Sequence, residues 1–112
     1  MENCIFCKLA NHEIPTNIVY ENELVTAFED ANPVAPVHTL IVPKAHMDNI
    51  LGLSDPDLMV ALKDAIDQVA EIKGVKESGF RLINNCGADA GQTVMHLHIH
   101  LIGGVSLGEK LI

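Results

Sequence analysis

Three histidines recur at alternate positions near the C-terminal end of the chain, in the segment MHLHIHLIGG at residues 95–104. The residues between them are apolar, which predicts a buried β-strand. Successive side chains of a strand point to opposite faces, so His96, His98 and His100 would share one face, roughly 6.6 Å between neighbours, while the apolar residues enter the core. Three imidazoles add little to packing, and each needs hydrogen-bond partners where it is covered. The row therefore predicts a chemical role.

The histidine row admits three interpretations. Each ring could be satisfied by local hydrogen bonds, although strict alternation of three rings disfavours this. His-x-His on a strand can present two nitrogens to zinc, given a third ligand and an open coordination position. Alternatively, a neutral imidazole could attack a phosphorus centre while its neighbours orient it and manage protons, given a phosphate cradle nearby.

The candidate phosphate cradle is the loop CGADAGQT at residues 86–93, which leads directly into the histidine row. Gly87 and Gly91 allow a close backbone approach or a positive φ. Successive N–H groups in such a loop can form an anion-binding concavity, and Gln92 and Thr93 add neutral donors. The loop lacks a P-loop lysine, so its significance comes from its position before His96.

A separate motif, Cys4-x-x-Cys7, lies near the N-terminus. Such a pair can be redox-active, or it can be two small apolar side chains. With two further ligands it would form a structural zinc site.

The elements that position these residues are short strands and one long helix. Residues 18–20 and 24–28 read as a hairpin around Asn22-Glu23, and residues 38–42 as a third strand that ends at Pro43. Residues 80–83 read as a fourth strand, before the loop and the histidine strand.

Residues 54–73 carry apolar side chains at three- and four-residue steps, which predicts an amphipathic helix. Ser54 is the expected N-cap, Pro56 suits the first turn, and Gly74 ends the helix. The element order predicts an α+β fold: an antiparallel sheet of about five strands with one main helix packed on it, as a single domain over residues 1–112. Exposed sheet edges favour a homodimer that extends the sheet.

Composition narrows the function classes. With 7 basic and 15 acidic residues, the net charge of −8 argues against a nucleic acid polymer as partner, because no basic patch would displace counterions. No segment approaches the roughly 20 apolar residues of a membrane span. The first residues, MENCIFCKLA, make a poor secretory signal, and three cysteines make a disulfide framework unexpected, so we expect a cytoplasmic protein.

Three segments resemble the histidine triad (HIT) family. MHLHIHLIGG resembles its His-φ-His-φ-His-φφ pattern, where φ is hydrophobic. FEDANPVAPVHTLIVPKAH, at 28–46, and INNCGADAGQTV, at 83–94, resemble two further characteristic segments in the same order and spacing. The resemblance spans nearly the whole chain and is strongest to the small nucleotide-binding phosphoramidases, which implies a HIT-like fold.

The resemblance implies catalytic roles for three histidines. His98 would be the nucleophile that attacks the α-phosphorus of a nucleoside phosphoramidate or related ester. His100 would contact the phosphate and assist proton transfer to the leaving group, and His38 would help to orient the site. Substrate contacts would come from Asp30 to the ribose, with Asn85, Gly91, Gln92 and Thr93 at the phosphate or leaving group.

This chain departs from the family pattern at two places. Thr93 stands where family members commonly have serine, so the hydroxyl remains while the methyl crowds the cradle. The chain ends in GGVSLGEKLI rather than with a Trp-Pro-Pro-Gly tail, which leaves the leaving-group preference open.

The resemblance also implies a structural zinc site. Zinc-bearing members pair the two cysteines with the histidine of the PKxH segment and the first histidine of the triad, which here means Cys4, Cys7, His46 and His96. His96 would then anchor the strand through the metal, while His98 and His100 face the phosphate.

Two functions from different classes follow, with a third from the metal interpretation. The first is a hydrolase that forms a nucleotidyl-histidine and releases a purine nucleoside monophosphate. The second is a nucleotide-binding regulatory or scaffold protein with slow, incidental hydrolysis, and the third is a catalytic zinc hydrolase that uses His98 and His100 as ligands.

An apolar slot around Ile5, Phe6, Phe28 or Ile41 would hold the base. Adenosine is expected only because the relatives prefer purines.

Overall fold

A computed structural model describes residues 3–110 of the chain. Over these residues it contains two α-helices, five strands and two single-turn 3₁₀ helices at Ile50–Gly52 and Ala88–Ala90. The helices are α1 (Ile5–Ala10) and α2 (Pro56–Ile72), and the strands are β1 (Ile18–Glu21), β2 (Val25–Glu29), β3 (Val37–Pro43), β4 (Phe80–Ile83) and β5 (Ile99–Gly103). Neither helix is long and apolar enough to cross a membrane.

The strands form one antiparallel sheet in the order β1-β2-β3-β5-β4. This confirms the predicted α+β fold with one main helix on the sheet. Leu40 of β3 lies opposite His100 of β5, and Ile41 lies opposite Ile99. Because side chains alternate along each strand, His38, Leu40 and His100 share one face of the sheet.

Helix α2 covers the other face and packs against β1, β2 and β3. Its N-cap is Asp55, whose side chain accepts a hydrogen bond from the Asp57 N–H, rather than the predicted Ser54. Asp55 directly precedes Pro56, whose missing N–H costs nothing in the first turn. Gly74, with φ of 72°, follows the end of the helix as predicted. The buried core between helix and sheet comprises Val25, Ala27, Val37, Ile41, Leu58, Leu62, Ala65, Val69, Ala70, Val75 and Leu101.

Helix α1 covers part of the face that carries the histidines, and sequence analysis did not predict it. Phe6 and Ala10 of α1 pack there with Phe28, Leu40 and Val42. Six residues are too few to hold a helix by propensity alone, so tertiary contacts must stabilise it. The spacing of apolar residues at 5, 6, 9 and 10 is the one local signal that could have indicated it.

The histidine row is only partly a strand, which corrects the sequence prediction. β5 begins at Ile99, so His96 and His98 precede it. Their neighbourhood is held by other bonds: the Leu97 N–H donates to the Met47 carbonyl, and the Asn84 side-chain amide donates to the His98 carbonyl. These partners lie outside the sheet ladder, so this stretch is held in place without pairing to a strand, and residues 94–96 form a bend. Leu97 is nevertheless fully buried, as the alternation predicted.

Candidate active site

His98 is held in a single tautomer by its own backbone neighbourhood. Its Nδ1 lies 2.7 Å from the His96 carbonyl oxygen, which can only accept, so Nδ1 carries the proton. In the neutral ring the lone pair is then on Nε2. The ring is buried, 4.9 Å from Phe6 and 5.1 Å from His100 between centroids. His98 therefore presents an oriented, potentially nucleophilic nitrogen.

The tautomers of His38 and His100 follow from one backbone amide. The Val34 N–H donates to His38 Nδ1 over 3.1 Å, so the proton of the neutral His38 ring is on Nε2. That Nε2 lies 2.8 Å from His100 Nδ1, to which it must donate. The proton of His100 is thereby placed on Nε2, where it can be donated to a ligand. Val34 contributes only its backbone, so no side-chain signal pointed to it.

His100 is also kept neutral by its surroundings. Burial lowers its pKa from 6.5 to about 4, and the neighbouring His98 and His38 rings act in the same direction. Because the imidazolium is disfavoured there, the ring acts at neutral pH through the single proton on Nε2.

A cavity of about 390 Å³ is lined in part by Asp30, which lies beside His38, and by Phe6, which lies beside His98. We call it the α1 cavity; its apolar wall includes Ile5, Phe6, Leu9, Phe28 and Leu40, and Glu29, Asp30 and Asn32 are among its polar residues. The slot predicted around Ile5, Phe6 and Phe28 therefore exists. Ile41 is not part of it: this residue is fully buried beneath α2, because it alternates with Leu40 along β3.

Asp30 has two roles in the structure. Its Oδ1 accepts a hydrogen bond from the Asn32 N–H, which caps the turn after β2. Its Oδ2 lies 3.4 Å from His38 Nε2, and the residue lines the α1 cavity. One carboxylate oxygen is thus committed to the turn, while the residue still borders the cavity and the histidine pair.

In the loop at residues 86–93 the two glycines have the expected positive φ, but the hydrogen-bond donors predicted for phosphate bond to other groups of the protein. Gly87 and Gly91 have φ of 88° and 80°. Gln92, predicted as a phosphate donor, instead supports the loop: its amide donates to the Asp48 and Val94 carbonyls, and its oxygen accepts from the Gly87 N–H. The Gly91 N–H bonds to the Ala88 carbonyl. These groups fill the loop, so the predicted concavity of free amides does not form around its glycines.

Other predicted polar residues lie at the edge of this region. Thr93 is exposed and lines a second cavity of about 490 Å³, which also includes Ile5 and so adjoins the same helix. Asn85 is half-buried in the loop. The side-chain amide of its neighbour Asn84, which sequence analysis did not single out, donates to the His98 carbonyl and thereby supports the backbone of His98.

The four residues predicted to bind zinc converge in the structure. Cys4 and Cys7 Sγ lie 3.2 and 3.3 Å from His96 Nδ1, and Cys7 Sγ lies 3.3 Å from His46 Nδ1. The four ligand atoms all lie within 4.8 Å of one another. Tetrahedral zinc separates a sulfur and a nitrogen ligand by roughly 3.5 Å. We call these residues the Cys–His cluster; they could hold a metal ion.

The outer hydrogen bonds of the Cys–His cluster favour metal binding. His96 Nε2 donates to the Pro43 carbonyl and His46 Nε2 to Asp48, each over 2.8 Å, so both Nδ1 lone pairs point at the thiols. Burial also lowers the pKa of His96. Burial and the neighbouring Cys4 raise the pKa of the Cys7 thiol, so a cation would have to displace its proton.

A second group, Asp30, His38 and His100, also lies close enough for a metal. In this group a ring N–H, rather than a lone pair, faces the other side chains. The Val34 N–H occupies His38 Nδ1, so the proton of the ring lies on Nε2, the atom that faces Asp30 and His100. A cation on Nε2 would require that bond to break. The two groups are therefore chemically distinct: one presents lone pairs, the other a directed chain of N–H donors.

The chain is similar to known proteins over most of its length. Residues 11–107 match the HIT domain. A purine nucleoside phosphoramidase from Escherichia coli is 42% identical over 98% of this chain and 94% of that protein, and the protein HitA from Neisseria gonorrhoeae is 40% identical over 92% and 97%. A HIT family hydrolase structure from Clostridium thermocellum superposes with a TM-score of 0.95 at 48% identity, covering 100% of this chain and 99% of that one.

Proposed function

The chain belongs to the HIT domain family, and on that premise we propose that it is a hydrolase that cleaves nucleoside phosphoramidates and related esters through a nucleotidyl-His98 intermediate. The observation that carries the proposal is the opposite orientation of two neighbouring rings. His98 has its lone pair on Nε2, whereas His100 has its proton there. A nucleophile and a proton donor thus lie 5.1 Å apart between ring centroids.

In the first step, His98 Nε2 attacks the α-phosphorus, and the bond from phosphorus to the leaving nitrogen breaks. The leaving nitrogen keeps the bond electrons and takes the proton from His100 Nε2. Loss of that proton leaves His100 as an imidazolate that accepts from the His38 Nε2–H, and the positive charge that the new nitrogen–phosphorus bond gives the His98 ring offsets this negative charge. The released product is the amine.

In the second step, water attacks the same phosphorus and the bond to His98 breaks. A proton of that water returns to His100 Nε2, and the other product is a nucleoside monophosphate. His38 acts as a positioning residue for both steps, since its Nε2–H keeps His100 Nδ1 occupied as an acceptor. The sum of the two steps is hydrolysis, with both histidines restored.

The nucleoside is bound in the α1 cavity. Its base packs among Ile5, Phe6 and Leu9, and its ribose hydroxyls donate to Asp30. A purine is proposed because the Escherichia coli relative is named a purine nucleoside phosphoramidase. Thr93 and Asn85 contact the phosphate or the leaving group, while Gly91 and Gln92 shape and support the loop.

The Cys–His cluster holds a structural zinc ion through Cys4, Cys7, His46 and His96. When bound, the metal supplies cross-linking between α1 and the segment that precedes β5. The lone pairs at both Nδ1 atoms and the outer carbonyl and carboxylate acceptors support this assignment.

The active form is a homodimer in which the sheet is extended through β4. In this edge strand Phe80 and Leu82 are 36% and 44% exposed, although both are large and apolar. An uncovered apolar edge strand favours pairing with another strand. Two copies of β4 would satisfy each other's backbone groups.

The proposal is tested by turnover of an adenosine phosphoramidate and by mass spectrometry of the quenched enzyme. Wild-type protein should gain the mass of one nucleotidyl group on the peptide that contains His98. His98→Ala should lose both the adduct and several orders of magnitude in kcat. His12→Ala is the matched control, since His12 is exposed and paired with Glu21.

Two outcomes would contradict the proposal. Retention of most activity by His98→Ala would remove the nucleophile assignment. Tight binding of adenosine monophosphate without turnover of any phosphoramidate would instead favour a nucleotide-binding regulatory protein.

A further inference from the structure

Helix α1 contributes to two separate sites. Cys4 caps its N-terminus, accepting from the Cys7 N–H, and both cysteines belong to the Cys–His cluster. Ile5, Phe6 and Leu9 of the same helix line the α1 cavity. Thus Ile5 and Phe6, which form part of the cavity wall, lie between the two cluster thiols in sequence.

Phe6 connects the cavity to the candidate nucleophile. Its ring meets His98 edge-on, with centroids 4.9 Å apart and planes at 86°. It also contacts Phe28 on the other side, at 5.8 Å. A shift of Phe6 would therefore change the cavity wall and the support of the His98 ring together.

The two ends of α1 are anchored differently. At its C-terminal end, Asn11 donates to the Cys7 and Lys44 carbonyls, and Thr26 donates to the Ala10 carbonyl. At its N-terminal end the polar anchors are the weak thiol–imidazole contacts to His96 and His46. Sulfur hydrogen bonds are weak, whereas zinc–thiolate bonds contribute folding free energy directly. The end that carries Ile5 and Phe6 is thus the end that a metal would fix.

From this arrangement we infer that metal binding at the Cys–His cluster and nucleotide binding in the α1 cavity are energetically coupled, with Phe6 as the positioning residue that links them. The inference rests on the proposed function, because it requires that a nucleotide binds in the α1 cavity. A cation that fixes α1 preorganises the cavity, so the nucleotide no longer has to order the helix. Coupling of two equilibria is reciprocal, so the nucleotide must tighten metal binding by the same factor.

The coupling is measured with Zn²⁺ and adenosine monophosphate on the full chain. Calorimetry gives the dissociation constant of the nucleotide for zinc-loaded and zinc-free protein, and competition with a chelator gives zinc affinity with and without nucleotide. We expect both affinities to rise by at least about fivefold when the other ligand is bound. Equal nucleotide affinity in the two forms would overturn the coupling.

Two variants locate the linkage. Phe6→Leu keeps an apolar side chain but removes the ring that reaches His98, so the coupling factor should fall toward one while zinc still binds. Asn32→Ala is the matched control: Asn32 lines the same cavity from the turn after β2 and is not one of the ring partners of Phe6, so this variant should weaken nucleotide binding equally with and without zinc. An undiminished coupling factor in Phe6→Leu would overturn the assignment to Phe6. The same result is expected if zinc removal unfolds the whole domain, because the coupling would then act through folding and not through the Phe6 ring.

These readouts separate the two proposals. Failure of adenosine monophosphate to bind either form would contradict the proposed function. Binding with the same affinity in both forms would leave the proposed function intact and remove the coupling.

Discussion

His38 Nε2 donates to His100 Nδ1 over 2.8 Å, and the direction of this bond is set by the Val34 N–H on the far side of the His38 ring. The proton of His100 therefore faces away from His38. A backbone amide outside the histidine segment thus determines which nitrogen of His100 can act as an acid.

His100→Asn should lower kcat by an amount that depends on the leaving group. For an alkylamine phosphoramidate, whose nitrogen must be protonated, we expect kcat to fall by about 10²–10⁴, the range of general acid catalysis. For a nitrophenyl ester, which leaves as a stable anion, the loss should be much smaller. Steady-state kinetics with both substrates measures the difference. His38→Ala should show the same selectivity with a smaller loss, and equal losses for both leaving groups would contradict the acid role.

Asp30→Asn should remove recognition of the ribose while keeping the turn. The Asn side chain retains an Oδ1 that can cap the Asn32 N–H, but it loses the charge that strengthens bonds from the ribose hydroxyls. A hydrogen bond to a charged group is worth about 1.5–3 kcal/mol, so nucleotide affinity should fall about ten- to a hundredfold. Calorimetry with ribo- and 2′-deoxynucleotides checks the cause. The wild type should discriminate between them and the variant should not; unchanged discrimination would place the ribose elsewhere.

Acidification should destabilise the fold partly through His100. In the unfolded chain a histidine binds its proton near pH 6.5, whereas the folded pKa of His100 is about 4. Between these values the unfolded state binds more protons, so the free energy of unfolding falls as pH decreases from about 6.5 to 4. His100→Asn should make this slope shallower, by at most about 1.4 kcal/mol per pH unit. Urea denaturation at several pH values measures it. Between pH 7 and 8.5 the two proteins should differ by a constant amount.

Of the three cysteines, only the two in the Cys–His cluster should affect zinc content. Protein prepared with zinc should hold one ion per chain by elemental analysis, while Cys4→Ser and Cys7→Ser should hold far less and unfold at lower temperature. Cys86→Ser is the matched control, because that free cysteine lies in the loop before the histidines, outside the cluster. Zinc loss in Cys86→Ser, or full retention in both cluster variants, would contradict the ligand assignment.

Leu82→Asp should produce a monomer. A carboxylate on the exposed apolar edge of β4 would be buried against a second copy at high cost. Light scattering after size-exclusion chromatography measures the mass. Leu51→Asp serves as the control, since Leu51 is 84% exposed in the 3₁₀ helix Ile50–Gly52, outside the edge strand, and its replacement should leave the dimer intact. A wild-type monomer would contradict the proposed assembly.

Much of the fold was predictable because strand and helix periodicity are local properties. Residues 80–83 form the predicted strand with the same bounds, and the long helix, predicted over residues 54–73, spans Pro56–Ile72 with Asp55 as its cap. The convergence of Cys4, Cys7, His46 and His96 was predicted through the family resemblance rather than from spacing. The positive φ of Gly87 and Gly91 also followed from residue type, since only glycine adopts it readily.

By itself, then, the sequence determined the residue types of the site and the alternation that brings His98 and His100 to one face. Only the tertiary structure decided how those groups are used. Tertiary contacts packed α1 over the face that carries the histidines, directed the Gln92 side chain to the Gly87 N–H and the Asp48 carbonyl, and placed the proton of His100 on Nε2 through the Val34 N–H. The reason is physical: periodicity depends on neighbours along the chain, whereas a hydrogen-bond partner or a six-residue helix depends on atoms that are distant in sequence and meet only on folding.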